Sequence, residues 1–140
     1  MAETTTLHAT TVAHQGRAIV ITGASGSGKS ALALALMARG CTLIADDRTI
    51  LSAAPAGLTA SCPPAIRGLI EARGIGILHA RPAPPATVAL VIDMDRDETE
   101  RLPPKRSVTY LRHSVPLLLS SHYSHFDAAV LHYITAGRSA

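Results

Sequence analysis

Aromatic side chains are nearly missing from this sequence, which has no tryptophan, one phenylalanine and three tyrosines in 140 residues. Any core must therefore be aliphatic, packed from Ala, Val, Leu and Ile. Cysteine is almost as scarce. Cys41 and Cys62 stand alone with no C-x-x-C spacing, which excludes a disulfide framework and a thiolate zinc site. No stretch approaches the ~18–20 apolar residues of a membrane span, and the opening "MAETTTLHATTVAHQG" lacks a basic region followed by an apolar one. A soluble, cytoplasmic protein with no membrane partner is expected. The 13 Lys and Arg are scattered, and no basic run is interleaved with aromatics, so the formal charge of +3 does not point to nucleic acid.

What is present is ample for one compact domain over residues 1–140, with hydrophobic residues at 47% and charged ones at 16%. Residues 4–13 alternate loosely as a strand, and Ala18–Thr22 is a short apolar run fit for a buried one. "KSALALALMAR" (29–39) is helix-forming throughout, with Gly40 placed to stop it. "CTLIADD" (41–47), "RTILSAA" (48–54), "IGILHA" and "TVALVIDM" read as further strands. "AIRGLIEARG" after Pro63-Pro64 reads as a short helix, residues 95–106 as a polar surface excursion, and "HFDAAVLHYITA" as a last helix capped by Ser124 and stopped by Gly137. Strands alternating with helices indicate an α/β fold.

One stretch carries chemistry by itself. Gly23-Ala24-Ser25-Gly26-Ser27-Gly28-Lys29-Ser30 matches G-x-x-x-x-G-K-[ST] between a strand and a helix. Glycines let successive backbone N–H groups turn around a phosphate, and the helix offers its positive end. Lys29 neutralises the outer phosphates, and the Ser30 hydroxyl is placed to bind Mg²⁺. ATP and Mg²⁺ are the expected ligands, but such a loop serves kinases, motors and switches alike.

A carboxylate at the end of a neighbouring strand should complete the site. Asp46 and Asp47 end "LIADD", and Asp93 and Asp95 end "VALVIDMD", which by pattern is the cleaner candidate. On a regular strand only one of Asp46 and Asp47 faces the nucleotide. Glu71 is a further metal or substrate candidate, or else a helix residue paired with Arg67 four positions earlier.

His8, "ITGASGSGKS" (21–30), "RGCTLIADDR" (39–48) and "LIEARGIGIL" (69–78) together resemble, in order and spacing, the catalytic domain of HPr kinase/phosphorylase. The resemblance runs over roughly residues 5–95. It implies a P-loop domain similar to phosphoenolpyruvate carboxykinase, a mixed β-sheet with flanking helices, assembled as a homohexamer. The activity implied is phosphorylation of a serine of the phosphocarrier protein HPr by ATP, reversible by phosphorolysis. Under it Lys29 binds phosphate, Ser30 and Glu71 ligate Mg²⁺, Asp47 is the base for the acceptor serine, and His8 is the histidine that sets its charge. Arg101 matches the family's arginine, with Arg96 as the rival, and "VALVIDMD" becomes a core strand.

The chain departs from the family in two places. It begins just before the histidine, so the family's N-terminal domain is expected to be absent. "LRHSVPLLLSSHYSHFDAAV" has no counterpart of the loop associated with phosphorolysis, which makes the kinase direction the better expectation. His113, His122, His125 and His132 in this tail fit no ligand spacing and read as surface residues. A small-metabolite P-loop kinase and a non-catalytic ATP-binding switch are the competing readings; no N-K-x-D motif supports a GTPase.

Overall fold

The structure is a computed structural model and describes residues 3–140. Two antiparallel pairings bring the start of the chain against the segment that follows the first helix. Strand β1 (Thr4–Leu7) pairs with β5 (Thr49–Ala54), and β2 (Ala9–His14) pairs with β4 (Thr42–Ala45). Since β1 runs into β2 and β4 into β5, this is one long ladder broken once on each strand, at His8 and at Asp46–Arg48. The breaks face each other: Leu7 pairs with Thr49 on one side of the gap, and Thr11 pairs with Ala45 on the other. One backbone bond spans it, from the Ala9 N–H to the Asp47 carbonyl at 3.1 Å.

Strand β3 (Arg17–Thr22) runs antiparallel along β2 and parallel to β9 (Ala86–Asp97). The other edge of β9 is shared, first by β6 (Gly57–Ser61) and then by β11 (His113–Ser120). β10 (Arg106–Tyr110) pairs antiparallel with β11. These nine strands make one mixed sheet in the order β1-β5-β6-β9-β3-β2-β4, with β10–β11 branching from β9. Its two ends are joined through the chain, so the sheet curls.

Helices α1 (Lys29–Ala38) and α2 (Phe126–Ala136) pack together on one face, over Ile19, Ile21, Leu43, Leu90 and Ile92. The opposite face, inside the curl, carries Ala18, Val20, Leu51, Leu58 and Val91. β3 is thus buried on both sides, which is why it reads as an uninterrupted apolar run. Every buried hydrophobic residue among those described is Ala, Val, Leu, Ile or Cys.

Three local expectations are corrected. "AIRGLIEARG" is not a helix. It makes one 3₁₀ turn at Pro64–Ile66 and then strand β7 (Leu69–Ala72), paired only with β8 (Gly76–His79). Gly68 at φ +73° breaks the helical path, and burial then alternates, with Ile70 and Ala72 inside and Glu71 and Arg73 outside. The helical Arg67–Glu71 pairing vanishes with it. Ser124 does not cap α2, because the cap position is His125 and makes no side-chain cap bond. The excursion from residue 95 begins as strand, since β9 extends to Asp97.

Arg39 Nε, just past α1, meets Asp127 Oδ2 of α2 at 2.9 Å, and this hydrogen bond holds the Asp127 carboxyl below its usual range. A folded-state pKa lowered in this way contributes stability that is present above the unfolded-state value and lost as pH falls through the folded one. Asp127→Asn is therefore expected to melt slightly earlier than wild type near neutrality. The two melting temperatures should converge below about pH 4, measured by thermal denaturation across a pH series.

Candidate active site

The loop between β3 and α1 has Gly23, Gly26 and Gly28 at φ +149°, +83° and +100°. Gly28 in the left-handed region turns the chain directly into the first residue of α1, Lys29. Gly23 is the most constrained. A Cβ there would stand 2.5 Å from Ser27 Oγ and 3.2 Å from Met94 Cβ, so the loop would have to shift. Gly23→Ala is expected to weaken nucleotide binding about tenfold or more through this strain, read by titration with a fluorescent ATP analogue.

Lys29 is 5% exposed although charged, and its Nζ donates to the Ala24 carbonyl at 3.0 Å and lies 3.7 Å from Asp47 Oδ1. Ser27 Oγ is a buried polar atom with no hydrogen-bond partner among the described residues. An anion seated in the loop would supply that partner, so these residues fit a phosphate.

Both aspartates face this cleft, contrary to the alternation expected of a regular strand. β4 ends at Ala45, and Asp47 adopts φ +67°, which swings it to the side that Asp46 already faces. A cleft of ≈ 430 Å³ is lined by Lys29, Ser30, Asp46, Asp47, Glu71 and Arg73, among others. His8 reaches Asp47 because both sit in the opposed ladder breaks; Nε2 is 2.5 Å from Oδ1, with both side chains about half exposed.

Asp46 is the organising carboxylate. Oδ1 accepts from the Ser30 hydroxyl at 2.7 Å and the Thr10 hydroxyl at 2.9 Å, and Oδ2 accepts from the Glu71 N–H at 2.9 Å. Thr10 Oγ1 in turn accepts from the Asp47 N–H at 3.1 Å. One side chain thus ties together the helix start, strand β2, the aspartate turn and β7. With its proton given to Asp46, the Ser30 oxygen keeps its lone pairs for a cation, and Glu71 stands on the same wall. No group of three His, Cys, Asp or Glu is gathered in metal-holding geometry among the described residues. A hard cation here would draw on phosphate oxygens beside Ser30 and Glu71, the pattern Mg²⁺ follows.

Asp95 is more than the polar end of a core strand. The Ala24 N–H donates to both of its carboxylate oxygens, at 3.0 and 3.1 Å, so β9 braces the phosphate loop from outside. The sequence carries a signal for this: β9 holds an apolar run at Val88–Ile92 like that of β3, and such strands lie side by side with their C-terminal ends together. Arg101 is exposed in the segment after β9, and neither it nor Arg96 lines the cleft; Arg96 Nε donates to Asp93 Oδ2 at 3.0 Å. His113, His122, His125 and His132 lie outside the cleft as well.

Residues 1–83 match the family described as HPr Serine kinase C-terminal domain. The HPr kinase/phosphorylase of Bordetella petrii is 44% identical over 82 residues, which are 58% of this chain and 27% of that protein. Its counterparts in Bordetella pertussis and Azoarcus sp. are each 45% identical over the same length. The match spans about a quarter of the length of these relatives. A solved structure of the Hpr(Ser) kinase/phosphatase from Coxiella burnetii shares the fold with a TM-score of 0.78 at 27% identity, covering 94% of each chain. The similarity of fold therefore continues beyond residue 83. No described helix is long and apolar enough to cross a membrane. With more than half of its residues inside the family match and the same fold across nearly all of it, the chain belongs to the HPr serine kinase C-terminal domain family.

Proposed function

We propose that this chain is an ATP- and Mg²⁺-dependent protein kinase domain that phosphorylates a serine of HPr in the cytoplasm. The observation that carries the reading is the His8–Asp47 contact of 2.5 Å beside a buried Lys29 at the mouth of the phosphate loop. A serine hydroxyl is a poor nucleophile at neutral pH and needs a positioned base. Asp47, half exposed at the cleft edge, can receive a proton from a hydroxyl presented by another protein, and His8 Nε2 holds its carboxylate in place. As the serine oxygen bonds to the terminal phosphorus, the bridging oxygen leaves with ADP and the serine proton passes to Asp47. Lys29 and the loop N–H groups bind and orient the phosphates. Ser30 and Glu71 would hold Mg²⁺, which supplies neutralisation of charge on the phosphates.

The test is mass spectrometry of HPr after incubation with this protein, ATP and Mg²⁺. One new phosphoserine is the expected product; ATP bound without transfer to HPr would refute the reading. Adding inorganic phosphate to the purified product then asks for pyrophosphate release, the signature of phosphorolysis. Sedimentation of the same sample tests the hexamer that belongs to this reading.

A further inference from the structure

We propose that Arg73 is the second phosphate-binding cation of the cleft and contacts the terminal phosphoryl group of the nucleotide. The inference rests on the phosphate-transfer reading above and concerns an arginine other than Arg101 and Arg96, the two that the family resemblance offers.

The placement is specific. Arg73 follows β7 directly, and its guanidinium reaches over the phosphate loop, where a Cβ built on Gly26 would lie 3.5 Å from Nη2 and 3.8 Å from Nη1. Both terminal nitrogens thus face the loop at a residue with no side chain of its own. Arg73 lines the same cleft as Lys29, Ser30 and Asp47. Three acidic residues, Asp46, Asp47 and Glu71, line that cleft too, yet no carboxylate lies within ion-pair distance of Arg73 among the described residues. By contrast Arg39, Arg96, Arg106 and Arg112 each hold a carboxylate. The donors of Arg73 are aimed at the loop and have no other hydrogen-bond or ion-pair partner among the described residues.

Charge makes the position meaningful. Lys29 already donates to Ala24 and sits beside Asp47, so one cation is shared between the loop, the base and the incoming phosphates. A planar fork with two parallel N–H groups matches two phosphoryl oxygens, which an ammonium group cannot reproduce. The arm that carries the fork is anchored. Ile70 is 1% exposed, and the Glu71 N–H is bonded to Asp46, so Arg73 is held in register with the residue that orients Ser30.

The experiment compares wild type, Arg73→Ala and Arg73→Lys by titration with ATP and with ADP, and by HPr phosphorylation under saturating ATP. Wild type is expected to bind ATP more tightly than ADP. Arg73→Ala should remove that preference and lower kcat about 10²–10³-fold, with Arg73→Lys recovering less than a tenth of the loss and guanidinium ion partly rescuing Arg73→Ala alone. Melting temperatures should stay together, because Arg73 is exposed. Equal weakening of ATP and ADP, or an Arg73→Ala enzyme within about threefold of wild type in both kcat and ATP affinity, overturns the proposal. If wild type fails to phosphorylate HPr, the functional reading falls. The ATP-against-ADP comparison then still decides whether Arg73 meets the terminal phosphate.

Discussion

Asp47→Asn is expected to lower the rate of HPr phosphorylation about 10²–10⁴-fold while leaving the fold and nucleotide affinity in place. The substitution is chosen for the backbone. Asp47 sits at φ +67°, a region that asparagine tolerates at least as well as aspartate, so the turn that opposes His8 survives. What is lost is a carboxylate able to take a proton. The side chain is about half exposed, and the buried ammonium that loses its carboxylate, Lys29, keeps its bond to the Ala24 carbonyl. Removing a negative group 3.7 Å from Lys29 Nζ frees that ammonium for phosphate, and ATP affinity should hold or rise. Single-turnover transfer with excess enzyme, alongside equilibrium ATP titration, separates the two effects. Wild-type turnover by Asp47→Asn would remove Asp47 from the role of base.

One residue earlier the same chemical group does different work, and Asp46→Ala should show it. This carboxylate accepts three hydrogen bonds, from Ser30, Thr10 and the Glu71 backbone, and Thr10 is 0% exposed. Truncation leaves these donors without their acceptor in a part-buried setting, a loss of about 2–4 kcal/mol. For a chain of this size that is a fall in melting temperature on the order of 10 °C. Mg²⁺-dependent ATP binding should be lost with it, because Ser30 no longer has a partner that turns its lone pairs outward. Calorimetry or circular dichroism gives the first readout, and ATP titration with and without Mg²⁺ gives the second. An Asp46→Ala protein that melts with wild type would show that this hub carries no weight. Measured together, the two variants separate adjacent carboxylates into one that reacts and one that positions.

That separation was only half legible beforehand. Strand alternation is sound for a regular strand, and it predicts that Asp46 and Asp47 diverge. The strand is not regular at that point, because β4 stops at Ala45 to let the ladder break opposite His8. Nothing local in "LIADD" announces the left-handed turn, since aspartate is compatible with it and does not require it. The misread helix at "AIRGLIEARG" has a similar cause. Its apolar residues suit either period, and only burial of Ile70 in the apolar cluster that holds α1, with Gly68 at positive φ, selects the strand.

The sequence by itself determined the phosphate loop, the aliphatic character of the core, the buried strand that leads into the loop, and the helix that leaves it. Each depends on chemistry within a few residues: glycine's freedom at positive φ, helix propensity, and the burial demanded by an apolar run. Four short motifs, met in order, also pointed to the family. Tertiary structure alone decided which side chains share the cleft. His8 and Asp47 lie 39 residues apart and meet because two ladder breaks coincide. Asp95 lies 71 residues from Ala24 and braces the loop because β9 runs parallel beside β3. Arg73 comes over Gly26 because its hairpin is pinned by one buried isoleucine and one bond to Asp46. Such pairings follow from strand register and packing, which minimise exposed apolar surface over the whole chain, and no local stretch encodes them.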